Sequence, residues 1–289
     1  MKSLATVSLG GTVEQKLAAI AAAGFDGLEL GPDDVAAWPG TPESLRDHAA
    51  ELGLRPYLFQ PLRDFEAVPP RLLAANLRRA EEHLELMRRL GVDLLLVCSN
   101  VSTGAQDDDA LAAAQLHALA DLAAAYGVRV AYEALAWGRH VNRYRHAWRI
   151  VQAADHPGLG LCLDSFHILA TGDDPAAIAG IPAGKLFFLQ LADAPRLDLD
   201  LLRWSRNHRC LPGQGDLDVT GLTRRTLAAG YRGPLSLEIF NPSYRAADPH
   251  VIAARAAASL DRLAAAAAPA ATAGGAAAMP PGTATPPAP

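Results

Sequence analysis

The chain has 289 residues, half of them hydrophobic, with 26 Lys and Arg against 31 Asp and Glu for a formal net charge of −5. That length and apolar content suffice for one large α/β domain. The basic residues are scattered rather than striped, which excludes a general nucleic-acid binder with a cationic footprint. The three cysteines, Cys98, Cys162 and Cys210, form no CxxC pair and read as reduced thiols in a cytoplasmic setting. Residues 1–9 are too short and too alternating for a signal segment, and no apolar stretch reaches transmembrane length without charge or proline.

In chain order, short apolar runs alternate with amphipathic segments. Strands are predicted at 4–9, 27–30, 55–59, 93–98, 128–134, 160–164, 185–191 and 235–239. Helices are predicted at 13–23, 42–52, 72–90, 108–126, 143–154, 175–179, 217–229 and 249–263. Glycines at the turns into strands, such as Gly91 and Gly127, suit a left-handed helix cap. The strands are continuously apolar, as strands buried on both faces must be. Eight βα units in this length predict a (β/α)8 TIM barrel over residues 1–263. A doubly wound sheet is the alternative, but no glycine-rich phosphate loop follows the first strand. Residues 264–289 are nearly all Ala, Pro, Gly and Thr and read as a disordered tail or linker.

Four strand ends carry a polar residue: Glu133, Asp164, Gln190 and Glu238. A carboxylate or amide at the mouth of a buried strand costs stability unless it binds something. In a barrel these ends share one face, with Glu29 at the end of the second strand pointing the same way. Three carboxylates and an amide oxygen suit a divalent metal ion such as Mg²⁺, Mn²⁺ or Co²⁺; the other reading is hydrogen bonding to strand-end amides. His167, three residues after Asp164, can move a proton near that site or serve as a capping residue. Arg63, Arg206 and Arg209 lie in strand-end loops, where arginine binds a substrate carboxylate or pairs with a local acid. Tyr132, Trp137 and Phe240 flank the proposed ligands as packing or as substrate walls.

Several ordered segments carry a more specific resemblance. They include Ala22-Ala-Gly-Phe-Asp-Gly-Leu-Glu29, Phe59-Gln-Pro-Leu-Arg-Asp-Phe-Glu66, Leu163-Asp-Ser-Phe-His167 and Trp204-Ser-Arg-Asn-His-Arg209. The run from residue 5 to about 263 resembles the bacterial metal-dependent 3-dehydroshikimate dehydratases of the xylose-isomerase-like barrel superfamily. The resemblance implies conversion of 3-dehydroshikimate to protocatechuate and water through a metal-stabilised enediolate. It implies metal ligation by Glu133, Asp164, Gln190 and Glu238, catalysis by His167, and substrate binding by Ser205 and Arg209. Related sugar isomerases usually carry histidine where Gln190 stands. The expected partner is this small molecule, with neither nucleic acid nor membrane, and homo-oligomerisation stays open. The competing readings are a sugar or keto-inositol isomerase or dehydratase on the same barrel, a DNA-repair endonuclease, and a non-catalytic ligand-binding barrel.

Overall fold

Eight short strands pair in parallel, in chain order, and the last closes on the first. They are β1 (Lys2–Ala5), β2 (Gly27–Leu30), β3 (Arg55–Leu62), β4 (Leu94–Cys98), β5 (Arg129–Glu133), β6 (Leu159–Asp164), β7 (Leu186–Leu191) and β8 (Leu235–Leu237). The computed structural model describes residues 1–268. Every residue of β2, β4, β6 and β7 is buried, which is why these runs show no polar alternation.

The helices are α1 (Val13–Ala22), α2 (Pro32–Ala37), α3 (Pro42–Glu51), α4 (Pro70–Leu90), α5 (Asp109–Ala124), α6 (Tyr144–Ala154), α7 (Ser165–Ala170), α8 (Leu201–Asn207), α9 (Val219–Ala228), α10 (Pro242–Ala246) and α11 (Pro249–Ala267). Their starts follow local chemistry. Thr12 and Gln15 form a reciprocal capping box on α1, and the Asp108 carboxylate accepts the Leu111 N–H at the head of α5. Gly91 ends α4 at φ 69°, a left-handed position that glycine takes at no steric cost. Their apolar faces join the strands in one core reaching from Leu4 to Leu263. Among the described residues no helix is long and apolar enough to cross a membrane.

Several predicted features differ. The first strand stops at Ala5, where Thr6–Ser8 turn into a 3-10 helix closed by Leu9 N–H on the Thr6 carbonyl. The helix predicted at 175–179 is a 3-10 turn over Pro175–Gly180. The turn before β6 takes its left-handed residue from Asp155, at φ 45°, and not from a glycine. The last helix runs on past 263 to Ala267, which is fully buried. Alanine continues a helix wherever its methyl finds a core. Residues 269–289, the remainder of the predicted tail, lie outside the described residues.

Candidate active site

Glu133 and Asp164 are the last residues of β5 and β6, and Glu238 follows β8 directly. Gln190, within β7, sits in register opposite Asp164. All four are buried. Asp164 is also the N-cap of α7: its Oδ1 accepts from Phe166 N–H at 2.6 Å and from His167 N–H at 3.3 Å. That cap turns the chain so that His167, buried in the single-turn helix, comes back over the strand end. His167 Nε2 stands 3.8 Å from Glu133 Oε1 and 3.8 Å from Asp164 Oδ2.

Arg209 lies beneath this cluster and is itself buried. Its Nη1 donates to Asp164 Oδ2 at 2.8 Å and to Glu238 Oε2 at 3.0 Å. Its Nη2 donates to Ser205 Oγ at 3.0 Å and stands 3.2 Å from His167 Nε2. Burial opposes the Arg209 charge, but Asp164 and Glu238 outweigh it and raise its pKa. Burial alone would lift the Asp164 carboxyl; the Arg209 charge and hydrogen bonds bring it below its ordinary value. Ser205 serves as an acceptor under the guanidinium, so Arg209 and Ser205 face the carboxylates and not the open cleft.

Glu133 is different. Burial, then repulsion from Asp164 and Glu238, push its carboxyl up to about 8. Its Oε2 accepts from Cys98 Sγ at 3.2 Å, while its buried Oε1 has no hydrogen-bond partner. His167 is moved the other way. Its Nδ1 accepts from Ala136 N–H at 3.1 Å, and Trp137 packs edge-on with ring centroids 4.9 Å apart. Burial, with the Arg209, Arg206 and Arg63 charges, overrides the pull of Asp164 and draws its pKa down to about 3. With Nδ1 accepting the Ala136 N–H, the neutral ring carries its proton on Nε2, the atom that faces Glu133 and Asp164.

Glu29 is held by three hydrogen-bond partners. Gln60 Nε2 and Gln190 Nε2 donate to Glu29 Oε2 at 2.6 and 2.7 Å, and Ser236 Oγ donates to Oε1. Burial, then Glu238, hold the Glu29 carboxyl well above the carboxylate range. Gln60 and Ser236 were not among the predicted site residues. Gln60 lies inside β3, which runs to Leu62 rather than 59.

The donor set fits a divalent cation. Asp164 and Glu238 share the one guanidinium of Arg209, and one oxygen of the buried Glu133 carboxylate has no partner. One ligand atom each from Glu133, Asp164 and His167 already lies within 4.8 Å of the others. The space among these side chains is about 10 Å³, the scale of a single water or ion. Next to it opens a cavity of about 490 Å³, lined by Lys16, Gln60, Arg63, Arg206, Phe240 and Arg245 among others. Arg63 and Arg206 border both spaces. The Arg206 guanidinium lies 4.4 Å from the Phe240 ring centroid and 5.8 Å from that of Trp137.

A closed eightfold parallel barrel with acidic strand ends at one mouth is a TIM barrel, and the comparisons agree. The chain belongs to the xylose isomerase-like TIM barrel family, which matches residues 17–265. It is 52% identical over 259 residues to a 3-dehydroshikimate dehydratase of Pseudomonas putida, covering 90% of this chain and 41% of that protein. The chain thus spans well under half the length of that curated relative. A 3-dehydroshikimate dehydratase of Neurospora crassa is 29% identical over 260 residues, covering 73% of this chain and 72% of that one. A solved xylose isomerase-like TIM barrel/4-hydroxyphenylpyruvate dioxygenase fusion protein superposes with a TM-score of 0.89 at 52% identity, covering 91% of this chain and 42% of that chain.

Proposed function

We propose that the barrel dehydrates 3-dehydroshikimate to protocatechuate and water, a carbon–oxygen lyase reaction that needs a divalent metal ion. The observation that carries this reading is a buried His167 whose Nε2 stands 3.8 Å from two carboxylates, beside a cavity bordered by Arg63, Arg206 and Arg245. The identity to dehydratases supports it, including the Neurospora relative whose length this chain largely covers.

Glu133, Asp164, Gln190 and Glu238 would hold the cation, which when bound supplies Lewis acidity toward the substrate ketone. His167 Nε2 gives the proton it carries to the C5 hydroxyl, which leaves as water as the C5–O bond breaks, and takes the C4 proton in its place. Movement of one C6 proton to the C3 oxygen completes the aromatic ring, so atoms balance as substrate equals product plus one water. Arg63 and Arg206 bind the ring carboxylate, since both border the cavity and two guanidiniums match an anion. Arg209, spent on Asp164 and Glu238, positions those carboxylates rather than the substrate. Trp137 and Phe240 wall the site and exclude water.

The test is direct. Purified protein mixed with 3-dehydroshikimate should develop the ultraviolet spectrum of protocatechuate, stop after exhaustive chelation, and resume on addition of Mg²⁺, Mn²⁺ or Co²⁺. Turnover of keto-inositol or a ketose in place of 3-dehydroshikimate would assign the barrel to the sugar branch. Full activity in metal-free protein would remove the cation from the reading.

A further inference from the structure

A second group of ligating side chains lies outside the barrel mouth, where α5 and α6 begin. Asp109 is the first residue of α5, His146 lies in the first turn of α6, and His140 sits in the connection before it. His140 Nε2 stands 2.6 Å and His146 Nε2 2.7 Å from one and the same oxygen, Asp109 Oδ1. The two rings meet edge to face with centroids 4.7 Å apart. One ligand atom from each of the three residues lies within 4.8 Å of the others. Behind the first ring, Asp107 Oδ1 stands 3.5 Å from His140 Nδ1.

We propose that Asp109, His140 and His146 form a site for a divalent transition ion of the zinc class, built from residues the barrel-mouth site does not use. Two imidazole nitrogens with one carboxylate suit Zn²⁺ or Co²⁺ and suit Mg²⁺ or Ca²⁺ poorly, because those ions take oxygen. For both imidazoles to hydrogen-bond the one oxygen, each Nε2 must carry a proton. A metal ion replaces both protons with a single cation. Ligand atoms around a tetrahedral zinc stand roughly 3.3 Å apart when its bonds are about 2.0–2.1 Å. The two nitrogen–oxygen gaps thus need to open by less than about 1 Å, through side-chain rotation alone. The histidine side chains are 17% exposed and Asp109 is 46% exposed, so an ion arrives from solvent and water completes its shell. Asp107 behind Nδ1 is the outer carboxylate that would leave Nε2 as the ligating nitrogen. Asp108 takes no part, because its side chain caps α5.

The ion would tie two segments together. The connection that carries His140 also carries Ala136 and Trp137, the residues in contact with His167. Bound metal fastens that connection to the start of α5.

Zn²⁺ titration of the full chain against a chromophoric chelator tests this. The His140→Ala/His146→Ala double variant should bind one equivalent of Zn²⁺ fewer than the native sequence. The Glu133→Gln/Glu238→Gln variant should keep the equivalent that the histidine pair supplies. Co²⁺ should give tetrahedral visible bands in that carboxylate variant and lose them when the histidines are removed as well. Equal Zn²⁺ stoichiometry in the native chain and the histidine double variant would overturn the proposal. Should the double variant fail to melt cooperatively, Asp109→Asn and His146→Gln take its place. Each should weaken Zn²⁺ at this site at least about tenfold, and unchanged affinity in both would equally overturn it.

Discussion

Gln190 donates its side-chain amide to Glu29 Oε2 at 2.7 Å, and its own oxygen accepts from Cys162 Sγ at 3.3 Å. The amide is thereby held one way round. Only the carbonyl end of an amide can ligate a cation, so in the proposed metal site Glu29 would orient Gln190 as a ligand. Glu29→Ala removes the oxygen that holds the Gln190 amide nitrogen, leaving the amide free to turn over. Mn²⁺ affinity in a competition titration should fall about 10–100-fold, the usual cost of losing an outer-shell partner. Unchanged affinity in a variant of native melting temperature would remove Glu29 from this role.

His167 and Arg206 should fail in different ways. His167→Ala should lower kcat by roughly 10²–10⁴-fold with little change in KM, because it removes a proton acceptor and no binding group. Arg206→Ala should raise KM and reduce kcat less, since it removes part of the carboxylate clamp at the cavity. Steady-state kinetics on 3-dehydroshikimate distinguish the two. A kcat loss confined to Arg206→Ala would exchange the assigned roles.

Glu66 gives a pH dependence of stability. Burial raises its carboxyl to about 6 from the ordinary 4.5, against hydrogen bonds from the Asn100 N–H and the Tyr132 hydroxyl. The folded protein therefore holds this proton more tightly than the unfolded chain does. Its contribution is complete below about 4.5 and is lost as pH rises through about 6. The difference amounts to about 2 kcal/mol at 1.36 kcal/mol per unit. Glu66→Gln does not titrate, so the native sequence should lose about 2 kcal/mol relative to the variant between pH 4.5 and pH 7. Urea unfolding of both proteins at the two pH values measures this, and a constant gap would contradict it.

Two truncations should part company. Removing residues 269–289 should leave the melting temperature unchanged, because that composition offers little surface to bury. Cutting after Leu263 also removes the buried Ala267 and the Ala266 carbonyl that accepts from Arg224 Nη2 at 2.9 Å. A loss of about 1–2 kcal/mol is expected, on the scale of a buried methyl and one hydrogen bond. Differential scanning calorimetry of both proteins decides between an end at 263 and one at 267.

The barrel was legible because parallel strands buried on both faces leave continuous apolar runs such as 94–98 and 186–191. The carboxylates were legible because each interrupts such a run at its end. Side-chain pairing was not. Arg209, 45 residues from Asp164 in the chain, meets it only after β6 and the connection beyond β7 fold over one another. Helix α7 went unseen, being six residues long and started by the same Asp164 that reads as a ligand. Asp109 comes from the start of α5 and the two histidines from the segment after β5, and no local spacing announces that they share one oxygen.

The pairing of Lys2 with Leu235 has a kinetic side. The first strand leaves the ribosome with one edge bare, and its last neighbour is not made until more than two hundred residues later. At about 5–20 residues per second that delay is roughly 10–50 s. Through it the growing sheet shows an unpaired edge at each end, the geometry most open to strand addition from another chain. Closure, sealed when α11 comes to rest on α1, is then a late and all-or-none event. Expression yield should therefore respond more steeply to changes in β1, β8 or α11 than to changes of equal thermodynamic cost in the middle of the barrel.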